Sequence, residues 1–197
     1  MSLFPLFLKL EGRRCLVVGA GSVGEEKIES LLPTGAEIHV VAPEATSRVR
    51  ALAKSKKLRW HSRRFKTADL KGVFLVVAAT SSPALHERIY RQARRAGVLC
   101  NVVDDPPHCD FYYGSVVRRG ALQIAISTSG YSPALSQRLR KLLELQFGPE
   151  YQEWVQLLGE ARDKLFARKM DAAERKRLLH VLAGEEMFRE FQKQSRK

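Results

Sequence analysis

Two short segments of this 197-residue sequence hold residues whose types and spacing can do chemistry. The first is Gly19-Ala-Gly-Ser-Val-Gly24, where three glycines have the spacing of a dinucleotide-binding loop. The second is Asp104-Asp-Pro-Pro-His-Cys-Asp110, which groups carboxylates with an imidazole and a thiol. The first segment predicts binding of a pyrophosphate at a helix N-terminus, and the second is suited to acid–base chemistry.

The glycine loop lies between a predicted strand and a predicted helix, which is the setting that the motif requires. Gly19 permits a tight turn, Gly21 lets backbone N–H groups approach the pyrophosphate, and Gly24 allows the helix to pack closely on the strand. The loop therefore predicts a dinucleotide site. A nucleotide-free glycine turn and a site for another nucleotide stay open as alternatives.

Two further segments belong to the same expected site. Pro43-Glu44 follows the second strand, where a carboxylate would accept hydrogen bonds from the adenosine ribose and repel a 2′-phosphate. This favours NAD over NADP, although the nearby Arg48 weakens the preference. Ala79 and Thr80 follow the next central strand, so their backbone is expected to line the cofactor.

Other readings of the polar segments stay open. Asp104-Asp-Pro-Pro is also good turn chemistry, and His108, Cys109 and Asp110 are too closely spaced for a fixed metal site. The sequence contains no CxxC, HExxH or Walker loop. Ser127-Thr-Ser129 precedes a helix and could bind anions, but a solvated loop with an N-cap at Ser132 explains it equally well.

The elements that must position these residues alternate between strand and helix. This alternation predicts an open, doubly wound, Rossmann-like α/β domain over residues 1–113. We expect an antiparallel strand pair and a helix in a small α+β dimerisation segment, 114–147, then a helical C-terminal domain, 148–197. The predicted strands are 14–19, 37–42, 58–60, 73–79, 98–103, 114–119 and 122–127; the predicted helices are 23–32, 46–56, 83–96 and 133–146, with 192–197 frayed.

Charge indicates an acidic partner but does not identify it. The chain has 34 Lys and Arg against 21 Asp and Glu, and the segment 48–66 holds nine basic residues and no acid. Nucleic acid, an anionic membrane and a polyanionic small molecule all fit such a balance. No apolar run is long enough to span a membrane, and the N-terminus lacks the features of a signal peptide. Three scattered cysteines favour reduced thiols, so we expect a cytoplasmic protein.

The sequence resembles the precorrin-2 dehydrogenase/sirohydrochlorin ferrochelatase family, the N-terminal module of siroheme synthases. The resemblance spans nearly the whole chain. It rests on Phe4-Pro-Leu-Phe, Val17-Val-Gly-Ala-Gly-Ser-Val-Gly24, Ala78-Ala-Thr80, Asn101-Val-Val-Asp-Asp105, Cys109-Asp-Phe111 and Ser127-Thr-Ser-Gly-Tyr-Ser-Pro133. It implies NAD-dependent oxidation of precorrin-2 to sirohydrochlorin, a homodimer and, in some members, insertion of Fe2+. The expected substrate is thus a polycarboxylate tetrapyrrole, with Fe2+ or Co2+ as a second substrate of a bifunctional enzyme.

The resemblance also implies roles for individual residues. Asp104 falls at the essential aspartate of the family, as general base and as a transient metal contact during chelation. Ser22, Val23, Pro43 and Glu44 fall at NAD contacts, and Ser127, Thr128 and Ser129 at the substrate side, with Thr128 where relatives often have serine. His108 is a second candidate, as an alternative proton carrier or iron contact; an exposed loop histidine is the other reading.

Two other functions are weighed against the dehydrogenase. One is a redox-sensing or nucleic-acid-binding module built on a Rossmann fold. Against it, the sequence shows no helix-turn-helix or aromatic RNA-binding motif, and we expect neither nucleic acid nor membrane as a partner. The other is a chelatase that has lost hydride transfer, which the intact glycine loop argues against.

Overall fold

The computed structural model describes residues 3–194, which form two compact units divided between Tyr113 and Gly114. This division falls where the predicted pattern of elements changes. The further boundary expected between residues 147 and 148 stays a prediction.

The first unit contains a five-stranded parallel sheet and three α-helices. The strands are β1 (Arg14–Val18), β2 (Glu37–Val41), β3 (Arg59–His61), β4 (Leu75–Ala78) and β5 (Leu99–Val102). The helices are α1 (Ser22–Leu31), α2 (Ser47–Lys54) and α3 (Pro83–Ala96), with 3₁₀ turns at Leu32–Thr34, Thr67–Leu70 and Pro106–His108. The predicted elements are all present, with ends that move by one or two residues.

The strand order β3-β2-β1-β4-β5 confirms the Rossmann-like fold. Alternate residues of each strand face opposite sides, so the sheet separates two buried apolar clusters. One cluster includes Val17 and Val40 with Ile28 of α1 and Val49 of α2. The other includes Leu16 and Val76 with residues of α3. Helices thus cover both faces, as a doubly wound sheet requires.

Local signals explain where the helices begin and end. The Thr46 side chain accepts a hydrogen bond from the Val49 N–H and caps α2, and Ser82 caps α3 in the same way. Pro83 occupies the first turn of α3, and Gly97 ends that helix with a φ of 67°. These positions are the ones that serine, proline and glycine favour at helix ends.

The second unit consists of a hairpin and four helices. Strands β6 (Ser115–Arg119) and β7 (Leu122–Ile126) pair antiparallel, as predicted. The helices are α4 (Pro133–Gln146), α5 (Tyr151–Phe166), α6 (Ala172–Leu182) and α7 (Glu185–Gln194). Aromatic rings of α5 and α7 pack together, including Trp154, Phe188 and Phe191. The expectation of a frayed end is wrong for residues 192–194, which belong to α7, and residues 195–197 lie outside the description.

Two expectations drawn from composition can be compared with the structure. Within residues 3–194, no helix combines the length and the apolar character needed to cross a membrane. All three cysteines carry free thiols. Burial raises the pKa of Cys15 to about 11 and that of Cys100 to about 12, so both stay protonated at neutral pH.

The glycine loop generates a prediction on stability. A Cβ at Gly24 would lie 2.3 Å from the Gly19 carbonyl oxygen, whereas a Cβ at Gly21 would meet nothing within 4 Å. Gly24→Ala should therefore lower the free energy of unfolding by about 1–3 kcal/mol, because backbone must move. Gly21→Ala should change it by less than about 1 kcal/mol. Urea denaturation checks both, and equal losses would contradict the assigned packing.

Candidate cofactor and catalytic site

The glycine loop holds the N-terminus of α1 against the ends of β1 and β4. Gly19 has a φ of 102°, which L side chains rarely adopt. Its N–H donates to the Val41 carbonyl at 3.0 Å, and a Cβ on it would lie 2.1 Å from the Ala79 carbonyl oxygen. Gly19 and Gly24 are therefore required for close packing, and Gly21 alone faces open space.

The first turn of α1 fits a dinucleotide pyrophosphate. Gly21 is the N-cap residue and contributes no side chain to cap the helix, and Gly21, Ser22 and Val23 are exposed. The N–H groups of a first helical turn have no intrahelical partner, and the helix dipole makes this end partially positive. An anion can therefore approach the backbone directly, where a larger residue than Gly21 would fill the space.

The loop after β2 is tied to the glycine loop. The Thr46 N–H donates to the Ala20 carbonyl at 3.0 Å, and the Ser62 hydroxyl donates to the Pro43 carbonyl at 3.0 Å. Glu44 lies exposed on this loop. Arg48 pairs with Glu29 of α1 at 3.0 Å, so its guanidinium already has a carboxylate partner. Arg48 is therefore less available to bind the 2′-phosphate of NADP.

The segment after β4 completes this edge of the sheet. A Cβ on Gly19 would also lie 3.2 Å from the Thr80 methyl group. The Thr80 carbonyl is 2.8 Å from Nε2 of the buried His86 on α3. The predicted positions Gly19, Gly24 and Ala79 thus pack closely together, with Thr80 beside Gly19.

Asp104 lies at the same edge. Val18, Ala78 and Val102 are neighbours in register at the ends of β1, β4 and β5, and Asp104 follows Val102 by two residues. Its side chain is exposed and its φ is 60°, in the left-handed region that asparagine and aspartate tolerate better than most residues. An exposed carboxylate in this place is accessible to a substrate.

The loop that carries Asp104 is anchored at its far end to β5. The Asp110 carboxylate accepts the Cys100 N–H at 2.9 Å, and the Asp110 N–H donates to the Cys100 carbonyl at 2.7 Å. The Asn101 amide donates to the Phe111 carbonyl at 2.8 Å. The Cys109 thiol donates to the Val102 carbonyl at 3.1 Å, and burial raises its pKa. Cys109 is thus a packing residue with little thiolate character.

His108 has a carboxylate partner at each ring nitrogen. Nδ1 lies 2.8 Å from Asp105 Oδ2, and Nε2 lies 2.9 Å from Glu87 Oε2 on α3. The hydrogen bond to Asp105, followed by the charges of Asp105 and Glu87, raises the pKa of His108. Tyr90 packs edge-on against the ring, with centroids 4.8 Å apart. Glu87 is a partner that the sequence did not predict, since nothing local connects α3 to the loop, whereas Asp105 lies only three residues before His108.

Ser127, Thr128 and Ser129 belong to the second unit, where they form the turn before α4. The Thr128 hydroxyl accepts the Ser132 N–H at 3.1 Å and the Ser136 hydroxyl at 3.3 Å. Ser129 has a φ of 52°, and its N–H donates to the Ser127 hydroxyl. The part of the chain that the structure describes holds no group of three His, Cys, Asp or Glu side chains arranged for a metal.

Comparison with known proteins identifies relatives of both units. A family model described as "Putative NAD(P)-binding" matches residues 6–115, and one described as "Sirohaem biosynthesis protein central" matches residues 119–146. The siroheme synthase of Neisseria meningitidis serogroup B is 38% identical over 177 residues, and siroheme synthase 1 of Serratia proteamaculans is 36% identical over 184. The alignments cover 90% and 93% of this chain but only 37% and 39% of those proteins.

A solved structure matches over nearly the full length. It is that of SirC, a precorrin-2 dehydrogenase, with a TM-score of 0.77, 27% identity and coverage of 98% of both chains. The first unit is thus an NAD(P)-binding domain, and residues 119–146 match the model of the central region of sirohaem biosynthesis proteins. The chain belongs to the precorrin-2 dehydrogenase/sirohydrochlorin ferrochelatase family, which includes the N-terminal module of siroheme synthases.

Proposed function

We propose that this protein oxidises precorrin-2 to sirohydrochlorin with NAD+ as electron acceptor. The observation that carries the proposal is the position of Asp104 at the same edge of the parallel sheet as an uncapped, glycine-lined helix N-terminus. The full-length similarity to SirC supports the same reaction. These matches favour the dehydrogenase over the redox-sensing or nucleic-acid-binding alternative.

The proposed chemistry divides one oxidation between two groups. NAD+, when bound, supplies the acceptor for the hydride that leaves the substrate. The Asp104 carboxylate accepts the proton that the same substrate loses from another ring position. Gly21, Ser22 and Val23 hold the pyrophosphate through backbone N–H groups, and Glu44 favours NAD over NADP by accepting from the ribose hydroxyls.

The contacts of His108 favour a positioning function over proton transfer. Its ring joins Asp105, the neighbour of Asp104, to Glu87 on α3, so it links the catalytic loop to a rigid helix. An imidazole with both nitrogens engaged has no lone pair aimed at a substrate. We therefore propose that His108 maintains the orientation of Asp104, and its use as proton carrier or iron contact stays a prediction.

We propose that metal insertion, as a second activity of this chain, depends on Asp104. Iron or cobalt is then a substrate, held between the macrocycle and one exposed carboxylate during insertion. We propose Ser127, Thr128 and Ser129 as substrate contacts. The Thr128 hydroxyl would still accept the hydrogen bond from the Ser132 N–H while it contacts the substrate.

Substitution at Gly21 tests the cofactor site. Gly21→Ala should weaken NAD+ binding by about ten-fold or more, because a methyl group would occupy the space that the pyrophosphate needs. Isothermal titration with NAD+ measures this. Gly159→Ala is the matched control, since a Cβ there meets nothing within 4 Å on an exposed face of α5. Unchanged affinity in the Gly21 variant would refute the site.

Substitution at Asp104 tests the catalytic base. Asp104→Asn keeps the size and shape of the side chain, and asparagine tolerates the left-handed backbone at this position. The substitution removes the carboxylate that would accept the proton. We expect turnover of precorrin-2 to fall by about 10²–10⁴-fold, with NAD+ affinity nearly unchanged. Oxidation is measured from the absorbance of the NADH formed. Metal insertion is measured separately, from the consumption of sirohydrochlorin incubated with Co2+ and without NAD+. The control is Asp163→Asn on an exposed part of α5.

The outcomes of this experiment separate the two activities. Normal oxidation by the Asp104→Asn protein would refute the base, and no oxidation by the unaltered protein would refute the dehydrogenase. Metal insertion that survives in the variant would refute Asp104 as the contact for the metal.

We further propose that the protein is a homodimer through the second unit. Four leucines of α4 are exposed at spacings of three and four residues and form one stripe along the helix: Leu135, Leu139, Leu142 and Leu145. Leu145 is 84% exposed. Helices of soluble proteins normally bury such a stripe, and a second copy of the same helix has the matching apolar surface.

A double substitution tests the dimer. Leu139→Asp with Leu142→Asp should convert a dimer to a monomer, because charge in an apolar interface is strongly unfavourable. Light scattering coupled to size-exclusion chromatography measures the mass. Val181→Asp, on the exposed face of α6, should leave the dimer intact. A monomeric mass for the unaltered protein would refute the proposal.

A further inference from the structure

One face of the sheet in the first unit holds an open cavity of about 450 Å³ that contains none of the site residues described above. Helix α3 covers β4 and β5 on this face, while the cavity lies over β1, β2 and β3. The chain between β3 and β4 forms its other wall. Its polar lining residues are Arg14, His39, His61, Arg63, Asp69 and Lys71.

The polar lining of this cavity is almost entirely basic. The one carboxylate, Asp69, already accepts two hydrogen bonds from Arg63, at 2.6 and 2.9 Å, and one from the Lys66 N–H at 2.8 Å. This pairing with Arg63 holds the pKa of Asp69 below its usual range. Arg14, Lys71 and the two histidines are left without an acidic partner in the lining.

Two nitrogen atoms of the lining are buried without a hydrogen-bond partner in residues 3–194. They are Nε of Arg14 and Nε2 of His39. The Arg14 guanidinium makes one contact, from Nη1 to the Lys71 carbonyl at 3.3 Å. Buried polar atoms are nearly always satisfied, and an oxyanion beside these residues would supply acceptors for the Arg14 Nε–H and for a proton on His39 Nε2.

We propose that this cavity binds a small multivalent oxyanion of the phosphate class, with Arg14, His39, His61 and Lys71 as its donors. Arg14 on β1, His39 on β2 and His61 on β3 lie on adjacent strands and face the same side. The His39 and His61 rings stack with centroids 5.7 Å apart, so one anion can contact both. The volume suits a pyrophosphate or a mononucleotide.

The surroundings of His39 couple this binding to pH. Burial lowers the pKa of His39, and the positive charges of Arg14, Arg59 and His61 lower it further. An anion in the cavity opposes this effect, since it stabilises the protonated ring of His39. The charged groups that face His39 are Arg14 on β1, Glu37 on β2, Arg59 and His61 on β3, and Asp69 and Lys71 on the connecting chain.

Binding of inorganic pyrophosphate to the 197-residue protein at saturating NAD+, measured by isothermal titration, tests the site. We expect saturable binding that His61→Gln and Lys71→Gln each weaken by about five- to ten-fold. The matched control is Arg50→Gln, which removes one charge from an exposed position of α2 in the same basic segment and should leave affinity unchanged. No saturable binding, or equal weakening in all three variants, would overturn the proposal.

Two further measurements fix the ligand class and the independence of the site. Citrate should bind at least about ten-fold more weakly than pyrophosphate; tighter binding of citrate would refute the phosphate class. Saturating NAD+ should occupy the N-terminus of α1 without displacing pyrophosphate from the cavity. Displacement by NAD+ would show that the cavity is part of the cofactor site and would overturn the proposal.

Sulfate provides the pH test, because its charge is constant over the range in which histidines titrate. Its affinity should be at least about five-fold higher near pH 6 than near pH 8, because protonation of His39 accompanies binding. In His39→Gln this ratio should fall. The same ratio in the variant and the unaltered protein would show that His39 is not a ligand.

Discussion

Close packing of α1 on the ends of β1 and β4 is the constraint on which the rest of the site depends. Gly19 and Gly24 allow it, since a Cβ on either would overlap backbone atoms. The helix axis is thereby directed at the edge where the parallel strands end. The partial positive charge and the unpaired N–H groups of the α1 N-terminus therefore lie at this edge of the sheet. The other groups of the site are positioned relative to this helix N-terminus.

The loop after β5 shows how a flexible sequence is made into a defined site. Two prolines and two aspartates would by themselves form a solvated turn. Asp110, Asn101 and Cys109 fasten the far end of this turn to β5, and His108 fastens its middle to α3. Asp104 is left as an exposed carboxylate on an otherwise anchored loop, which is the combination that a proton acceptor needs.

The residues of the basic segment 48–66 have several different structural roles. Arg48 pairs with Glu29, and Arg63 with Asp69. Arg59 lies on the edge strand β3, where charge opposes unwanted strand pairing. His61 belongs to the same run and lines the cavity on the sheet face. The function of each basic residue in this segment therefore depends on the groups that it contacts, and the net charge of the segment does not reveal it.

The sequence by itself determined the strands, the helices, the fold class and the place of the glycine loop, because apolar periodicity, caps and glycine spacing are local signals. It also placed Glu44, Thr80 and Asp104 near strand ends, which parallel order brings to one edge. Only the tertiary structure decided that Glu87 holds His108, that Arg48 is paired with Glu29, and that His39 and His61 share a cavity. Those contacts join residues on separate elements, and their partners depend on how the elements pack rather than on any local pattern.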